Sequence, residues 1–296
     1  MQMKMMKGRR LAAPLMLALA LAGCSMSPPK GDRPVALRFT MDAACGRDIA
    51  GLAPVPVRLR DARLFVSEVA LIDKAGRSAP VTLDQNIWQH QDTALLDFED
   101  ATEGCTGTPE RNDRITGTVP AGDYTGVAFT IGVPPALNHG PYEKAPAPFD
   151  LTAMGWSWQA GRKFIKIELL PQGGVQRPSG TPTSAWNLHL GSSGCAGDPV
   201  KGEAVNCAAS NRIPVRLERV EPARDVIDID LKALFAGTDL TRDGGGAVGC
   251  MSGPSDPDCG AIFQAMGLRL KPTVDGGADG GQPLPEGQRF IKAVRP

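Results

Sequence analysis

No apolar run of the sequence is long enough to cross a bilayer as a helix. Leu11 to Leu21 is a run of 11 residues, against the roughly 20 needed to span a hydrocarbon core about 30 Å thick. Charge of one sign is not in excess either, since Lys and Arg number 32 and Asp and Glu number 32. The basic footprint of a nucleic-acid binder is therefore missing. There is no CxxC spacing, no HExxH and no GxGxxG after a strand, and both Gly191-Ser-Ser-Gly194 and Gly155-Trp-Ser-Trp-Gln159 fail the GxSxG elbow. Without a catalytic signature, an enzyme is not expected. No internal repeat and no sharp change of composition divides the chain.

What is present points to export. Lys4, Lys7, Arg9 and Arg10 precede the short apolar run, which ends in Leu21-Ala22-Gly23-Cys24, the form of a bacterial lipoprotein signal. The expectation is a signal peptide over 1–23, lipidation of Cys24, a tether over 24–33 and one domain over 34–296, anchored to a membrane in the periplasm, the outer membrane by preference. Loss of residues 1–23 removes four basic and no acidic residues, leaving 28 basic against 32 acidic. Beyond Cys24 the cysteines form an even set: Cys45, Cys105, Cys195, Cys207, Cys250 and Cys259. In an exported chain that suggests disulfides. Six cysteines allow 15 pairings, so the sequence alone leaves the connectivity open. Short separations make Cys195 with Cys207 and Cys250 with Cys259 the easiest loops to close, which leaves Cys45 with Cys105.

The 35 glycines and 26 prolines punctuate short alternating runs, the pattern of strands rather than of long helices. Strands are expected at Val35–Met41, at Ala62–Asp73 with Phe65, Val69 and Leu71 on one face, at Leu95–Phe98, Ile115–Val119, Tyr124–Val133, Ile213–Val220 and Val226–Leu231. The turn Lys74–Arg77 predicts a hairpin returning through Val81–Leu83. Lys232–Phe235 and Gly260–Met266 predict short helices. The fold class is all-β and mainly antiparallel: a single sandwich-like domain with long loops and one or two short helices.

Met154 to Cys195 is the most distinctive stretch. Trp156 and Trp158 have strand spacing, which sets two indoles on one face; core packing is the commonest use of such a pair. In the run from Trp186 to Leu190 the apolar Trp186, Leu188 and Leu190 oppose Asn187 and His189, which predicts an exposed or cleft-lining His189. Only three histidines exist, His90, His139 and His189, all in polar or turn contexts. Any one alone is more simply a hydrogen-bonding surface residue; as a set they offer imidazoles to copper, zinc or nickel. Met154 and Met251 are soft donors in principle and packing residues by default. The loop around Asp239, Asp243, Asp256 and Asp258 lacks an EF-hand pattern and reads as solvated turns.

The runs GWSWQAGRKFIKIEL and LHLGSSGC, with WQHQDTALLDF, VPAGDYTGVAFTIGVP and LNH upstream, resemble the MbnP-like proteins. These are periplasmic four-cysteine proteins of metallo-mystery pairs that carry a WxW motif and are related to the methanobactin-associated copper-binding protein. The resemblance runs from about Val35 to Cys207. It implies copper as cofactor, His90, His139 and His189 as candidate ligands, and oxidation of Trp156 or Trp158 to kynurenine by a partner, a dihaem protein of the cytochrome c peroxidase type. Trp88 and Trp186 also neighbour histidines, so the modified indole is left open. The competing expectation is a metal-free sandwich lipoprotein serving as an interaction module, and a weaker third is an enzyme whose site assembles from loops.

Overall fold

The computed structural model describes residues 31–157, 159–271 and 280–296. The signal peptide, Cys24 and Trp158 lie outside the described residues. Two sheets pack face to face. The first has five strands in the order Ile291–Val294, Val226–Ile229, Asp32–Met41, Arg114–Pro120 and Thr82–Leu83, antiparallel except for the parallel pair Asp32–Met41 with Val226–Ile229. Its first long strand begins at Asp32, so Asp32 and Arg33 belong to the sheet rather than to a tether. The second, of eight strands, is built on Val57–Asp73. Ile165–Pro171 and Tyr124–Ile131 pair with successive halves of that strand, Thr93–Asp97 and Ser78–Pro80 also pair with it, and Trp186–Leu190, Gln89–His90 and Ile213–Glu218 extend the sheet. The all-β sandwich expected from the sequence is what forms.

Leu37, Phe39 and Ile115 of one sheet and Leu64, Val66, Phe129, Ile167 and Leu188 of the other share one dry core. Phe39 meets Phe129 edge to face at 5.7 Å. Phe65 does not belong there. It joins Leu95, Val133, Phe149, Met154 and Phe164 in a second apolar cluster on the opposite face of the eight-stranded sheet, whereas Val69 and Leu71 do face the main core. The single face expected for Phe65, Val69 and Leu71 fails for a local reason. Glu68 sits at φ +56° and the register shifts between Ser67 and Ala70, and an inserted residue reverses which side chains point inward beyond it.

The hairpin after Lys74–Arg77 is also redrawn. Ser78–Pro80 returns along the long strand, but Thr82–Leu83 crosses to the other sheet and pairs with Gly117 and Thr118. Short helices form at Leu231–Leu234 and Cys259–Ala265, and one turn forms at Pro135–Asn138. All three expected disulfides are present: Cys45–Cys105, Cys195–Cys207 and Cys250–Cys259.

Candidate metal centre

Over the second apolar cluster, two loops bring His90 and His139 to one cavity of about 280 Å³, whose walls include Leu137, Pro141, Lys144, Phe149 and Arg162. His90 ends the short strand Gln89–His90. Trp88 packs onto the cluster below it, and the buried Gln89 side chain ties the turn to the first sheet by donating to the carbonyls of Asp84 and Thr116 and accepting from Thr116 N–H. The His90 ring stands edge-on to Phe149, centroids 6.1 Å apart.

His139 follows the helical turn Pro135–Asn138 and is placed by its neighbour. Asn138 is 2% exposed; its Oδ1 accepts from the backbone N–H of Arg162 at 2.9 Å, and its Nδ2 lies 3.4 Å from Ser192 Oγ and 3.3 Å from His139 Nε2. Gly161, at φ +83°, leaves room for that amide, because a Cβ there would come within 2.6 Å of it. The Cys195–Cys207 disulfide closes the other side, with Cys207 Sγ 3.7 Å from His139 Nε2. His139 Nε2 or Nδ1 and the two sulfurs lie within 4.8 Å of one another. Sulfurs joined in a disulfide are not thiolates, so this trio is not a Cys₂His site as it stands.

Arg162 is 3% exposed. Its guanidinium donates to the carbonyls of Phe149, Leu137 and Asn138 and lies over the rings of Phe149 and Tyr142, 4.9 and 5.5 Å from their centroids. Among the described residues it has no carboxylate partner, and burial lowers its pKa from the usual arginine range.

The segment with the tryptophan pair runs beside this cavity. Gly155–Ser157 pairs with Gly161–Arg162. A Cβ at Gly155 would strike the Tyr142 ring at 2.4 Å, and a Cβ at Gly191 would strike the six-membered ring of Trp156 at 2.5 Å. Both glycines are thus fitted to the aromatics that cover them. Lys163 donates from Nζ to the carbonyls of Ala153 and Gly155, both at 2.9 Å, and Gln159 donates to the carbonyl of Gly197 in the disulfide hairpin. Trp156 is half-buried and Trp88 likewise. Trp186 is fully buried edge-on to Phe235, which is core packing. Met154 packs inside the second cluster.

His189 goes elsewhere. It is buried, where the strand period predicted an exposed or cleft-lining side chain, and its Nε2 lies 3.0 Å from Glu168 Oε1. Since a carboxylate only accepts, Nε2 carries the proton. The face that alternation assigned to solvent is covered, and it holds a row of polar and charged groups: His189, Lys166, Arg63 and Asp97 are direct neighbours across four strands. Arg63 pairs with Asp61, Asp97 and Glu99, and Lys166 with Asp61 and Glu168. Burial alone would raise Glu168, but the hydrogen bonds from His189 and Lys166 and the Lys166 charge outweigh it and hold its pKa down to about 2. Burial lowers the pKa of His189, against the pull of the Glu168 hydrogen bond. Asp97 goes the other way: burial, only partly offset by Arg63, lifts it to about 6.

The acidic loop is turn scaffolding, but not the solvated one expected: only Asp239 is exposed, while Asp256 and Asp258 are half-buried and Asp243 is buried. Asp239, Asp256 and Asp258 accept from backbone N–H groups nearby, and Asp243 pairs with Arg177.

The chain belongs to the MbnP family: the model of that family matches residues 32–252. Among solved structures it is similar to MbnP from Methylosinus trichosporium, with 40% sequence identity and a TM-score of 0.84 over 90% of this chain and 99% of that one. A search of the curated proteins finds no match.

Proposed function

We propose that this chain is an exported, lipid-anchored copper-binding protein rather than an enzyme, and that His90 and His139 hold the ion. The observation that carries the reading is their convergence, from loops 49 residues apart in the sequence, on one cavity in a chain of the MbnP family. The donor set fits copper. Neutral imidazoles suit it, while a wall without carboxylates does not suit calcium, magnesium or manganese. Two imidazoles are few, and unmodified indole has no good lone pair to add. Oxidation of Trp156 or Trp158 to kynurenine, with one oxygen gained as a ketone and the indole C2 carbon released as formate, would supply an aniline nitrogen as a further donor. A dihaem partner of the cytochrome c peroxidase type is the proposed oxidant, acting in the periplasm. His189 supports the sheet through Glu168 and is not assigned as a ligand.

Competition titration of single variants tests this. His90→Ala and His139→Ala are each expected to weaken copper binding by about a hundredfold, and His189→Ala by less than about threefold. Unchanged affinity in the first two variants would favour the metal-free interaction module. Peptide mass spectrometry of protein from its native host tests the modification separately; intact Trp156 and Trp158 in copper-loaded protein would remove the kynurenine and the partner while leaving the ion.

A further inference from the structure

We propose that the cleft where the chain enters the sandwich seats the phosphoethanolamine headgroup of a membrane lipid, so that the anchored protein rests on the bilayer by this end instead of swinging free. This rests on the lipid-anchored reading above and adds to it a binding site and an orientation. None of the residues lining the cleft belongs to the histidine cavity.

The first observation is the cleft and its charges. It holds about 510 Å³ between the start of the first strand and the turns that carry Lys74, Asp123 and Glu221, over apolar walls that include Val35, Leu71 and Pro222. The Arg33 guanidinium lies over the face of Tyr124, 5.2 Å from the ring centroid, and Tyr124 is fixed by donating from its hydroxyl to the Pro120 carbonyl at 2.6 Å. Arg33, Lys74 and Asp123 are exposed, and among the described residues none of the three forms an ion pair, although one cleft holds both signs. Glu221 is already taken by Arg224 and Arg295. Two cations and one carboxylate around an apolar floor are complementary to a phosphate, an ammonium two carbons away and a short apolar stem.

The second observation is where the chain comes from. The carbonyl of Gly31 accepts from the N–H of Ala121 at 2.9 Å, which brings the chain into the fold beside Gly122 and Asp123 of the cleft. Cys24 stands seven positions before Gly31, and seven residues reach at most about 25 Å when fully extended. Wherever the tether runs, an acylated Cys24 keeps the cleft within that distance of the bilayer. A leash of this length presents headgroups at an effective concentration of about millimolar or more. Exposed charges that are individually too weak to collect a free ligand are then enough. Phosphatidylcholine offers no N–H to Asp123, and phosphatidylglycerol offers no ammonium.

The test uses the full mature protein with its acyl chains, reconstituted into vesicles of phosphatidylcholine alone, or with phosphatidylethanolamine or phosphatidylglycerol added in equal amount. Flotation reports the anchoring, and hydrogen exchange read by mass spectrometry over the turns 74–77 and 121–123 reports the cleft. With phosphatidylethanolamine, exchange there is expected to slow about fivefold against phosphatidylcholine alone, the factor 1 + [L]/Kd of a mostly filled site. Arg33→Glu and Lys74→Glu are each expected to return it to within about twofold of the phosphatidylcholine value. Lys74→Glu carries the test alone should loss of the Arg33 contact with Tyr124 disturb the fold. Asp123→Asn is expected to abolish the advantage of phosphatidylethanolamine over phosphatidylglycerol. Equal exchange in all three vesicles, in protein that floats, overturns the site and leaves the anchor standing. Equal slowing by the two added lipids in the parent overturns recognition of phosphoethanolamine. A mature protein that does not float and carries no acyl chain on Cys24 overturns the anchored reading itself.

Discussion

Arg63 and Arg162 are buried almost alike, at 2% and 3% exposure, yet they create opposite surroundings. Around Arg63, the carboxylates of Asp61, Asp97, Glu99 and Glu168 more than match the two cations Arg63 and Lys166, so no positive field is left. Around Arg162 nothing cancels the charge among the described residues, and the nearest open space is the histidine-lined cavity. The difference shows that burial of a cation does not by itself make it structural or functional. What matters is whether its field is consumed by neighbours or left to act on a third group.

The sharpest way to break that comparison is to remove each guanidinium. Arg63→Met leaves Asp61, Asp97 and Glu99 facing one another in a dry site, and is expected to cost about 4 kcal/mol in denaturant unfolding. Arg162→Met leaves only carbonyls next to a cavity that water can fill, and is expected to cost about 2 kcal/mol. Equal losses would mean that Arg162 has a hidden partner and that the contrast is false.

A second comparison uses the two short disulfides, which close loops of similar length, with separations of 12 and 9, on the two sides of the sheet end. Cys195–Cys207 abuts His139, whereas Cys250 hydrogen-bonds through its backbone to Asn187 and His189 of the charged side. Replacing either pair by serine is expected to lower stability by about 3 kcal/mol. Only loss of Cys195–Cys207 is expected to weaken copper binding as well, by about tenfold, because it frees the wall behind His139. Equal effects on affinity would show that the two regions are not separable.

Acid titration sharpens the charged side. Glu168 is depressed to about 2, so its stabilisation is present above its unfolded value and is lost as pH falls from about 4 toward 2. His189 is depressed as well, and its contribution is lost as pH falls below about 6.5. Asp97 opposes both. Raised to about 6, it stabilises the protein in its protonated form, a contribution worth about 2 kcal/mol at pH 4 that disappears as pH rises through 6. Asp97→Asn therefore should make the acid-side decline between pH 6 and 4 steeper than in the parent, as read from chemical denaturation at each pH. A shallower decline would mean that Arg63 dominates Asp97 and that its pKa is not raised.

Much of this was legible in the sequence because alternation and turn residues report local geometry directly. The strand runs, the pairing of nearby cysteines and the buried set Trp186, Leu188 and Leu190 follow from period two and short loops. The charged row was not legible. Arg63, Lys166 and His189 occupy the polar half of alternating strands, and nothing in a strand's period says that a second layer, brought by Phe149 and Met154 from a distant loop, will cover part of that face. The bulge at Glu68 was hidden too, since a residue at positive φ leaves no mark when it is not glycine. At the cavity, His90 and His139 were visible as chemistry but not as a pair. Arg162, Lys144 and Asn138 were passed over, because nothing in the period or spacing of GWSWQAGRKF marks Arg162 rather than Lys163 as the cation that lines the site.

The smallest expected effect tests the strip between the two regions. Gly191 stands two residues after His189 and one before Ser192, the hydroxyl near Asn138. It carries no positive φ, so alanine is acceptable to the backbone, but the added methyl would lie 2.5 Å from Trp156 Cζ3 and 2.7 Å from the carbonyl oxygen of Arg162. One of them must move. The indole stands at a half-buried rim while the carbonyl is fixed in a sheet pairing, so Trp156 is the part that yields. Gly191→Ala is expected to cost about 1 kcal/mol and to shift tryptophan emission to longer wavelength as the ring moves toward water. In a Trp156→Phe background the same substitution should lose the spectral shift and keep the stability cost. A shift that persists there would place the moving indole elsewhere and show that the Trp156 contact with Gly191 does not couple the histidine cavity to the charged row.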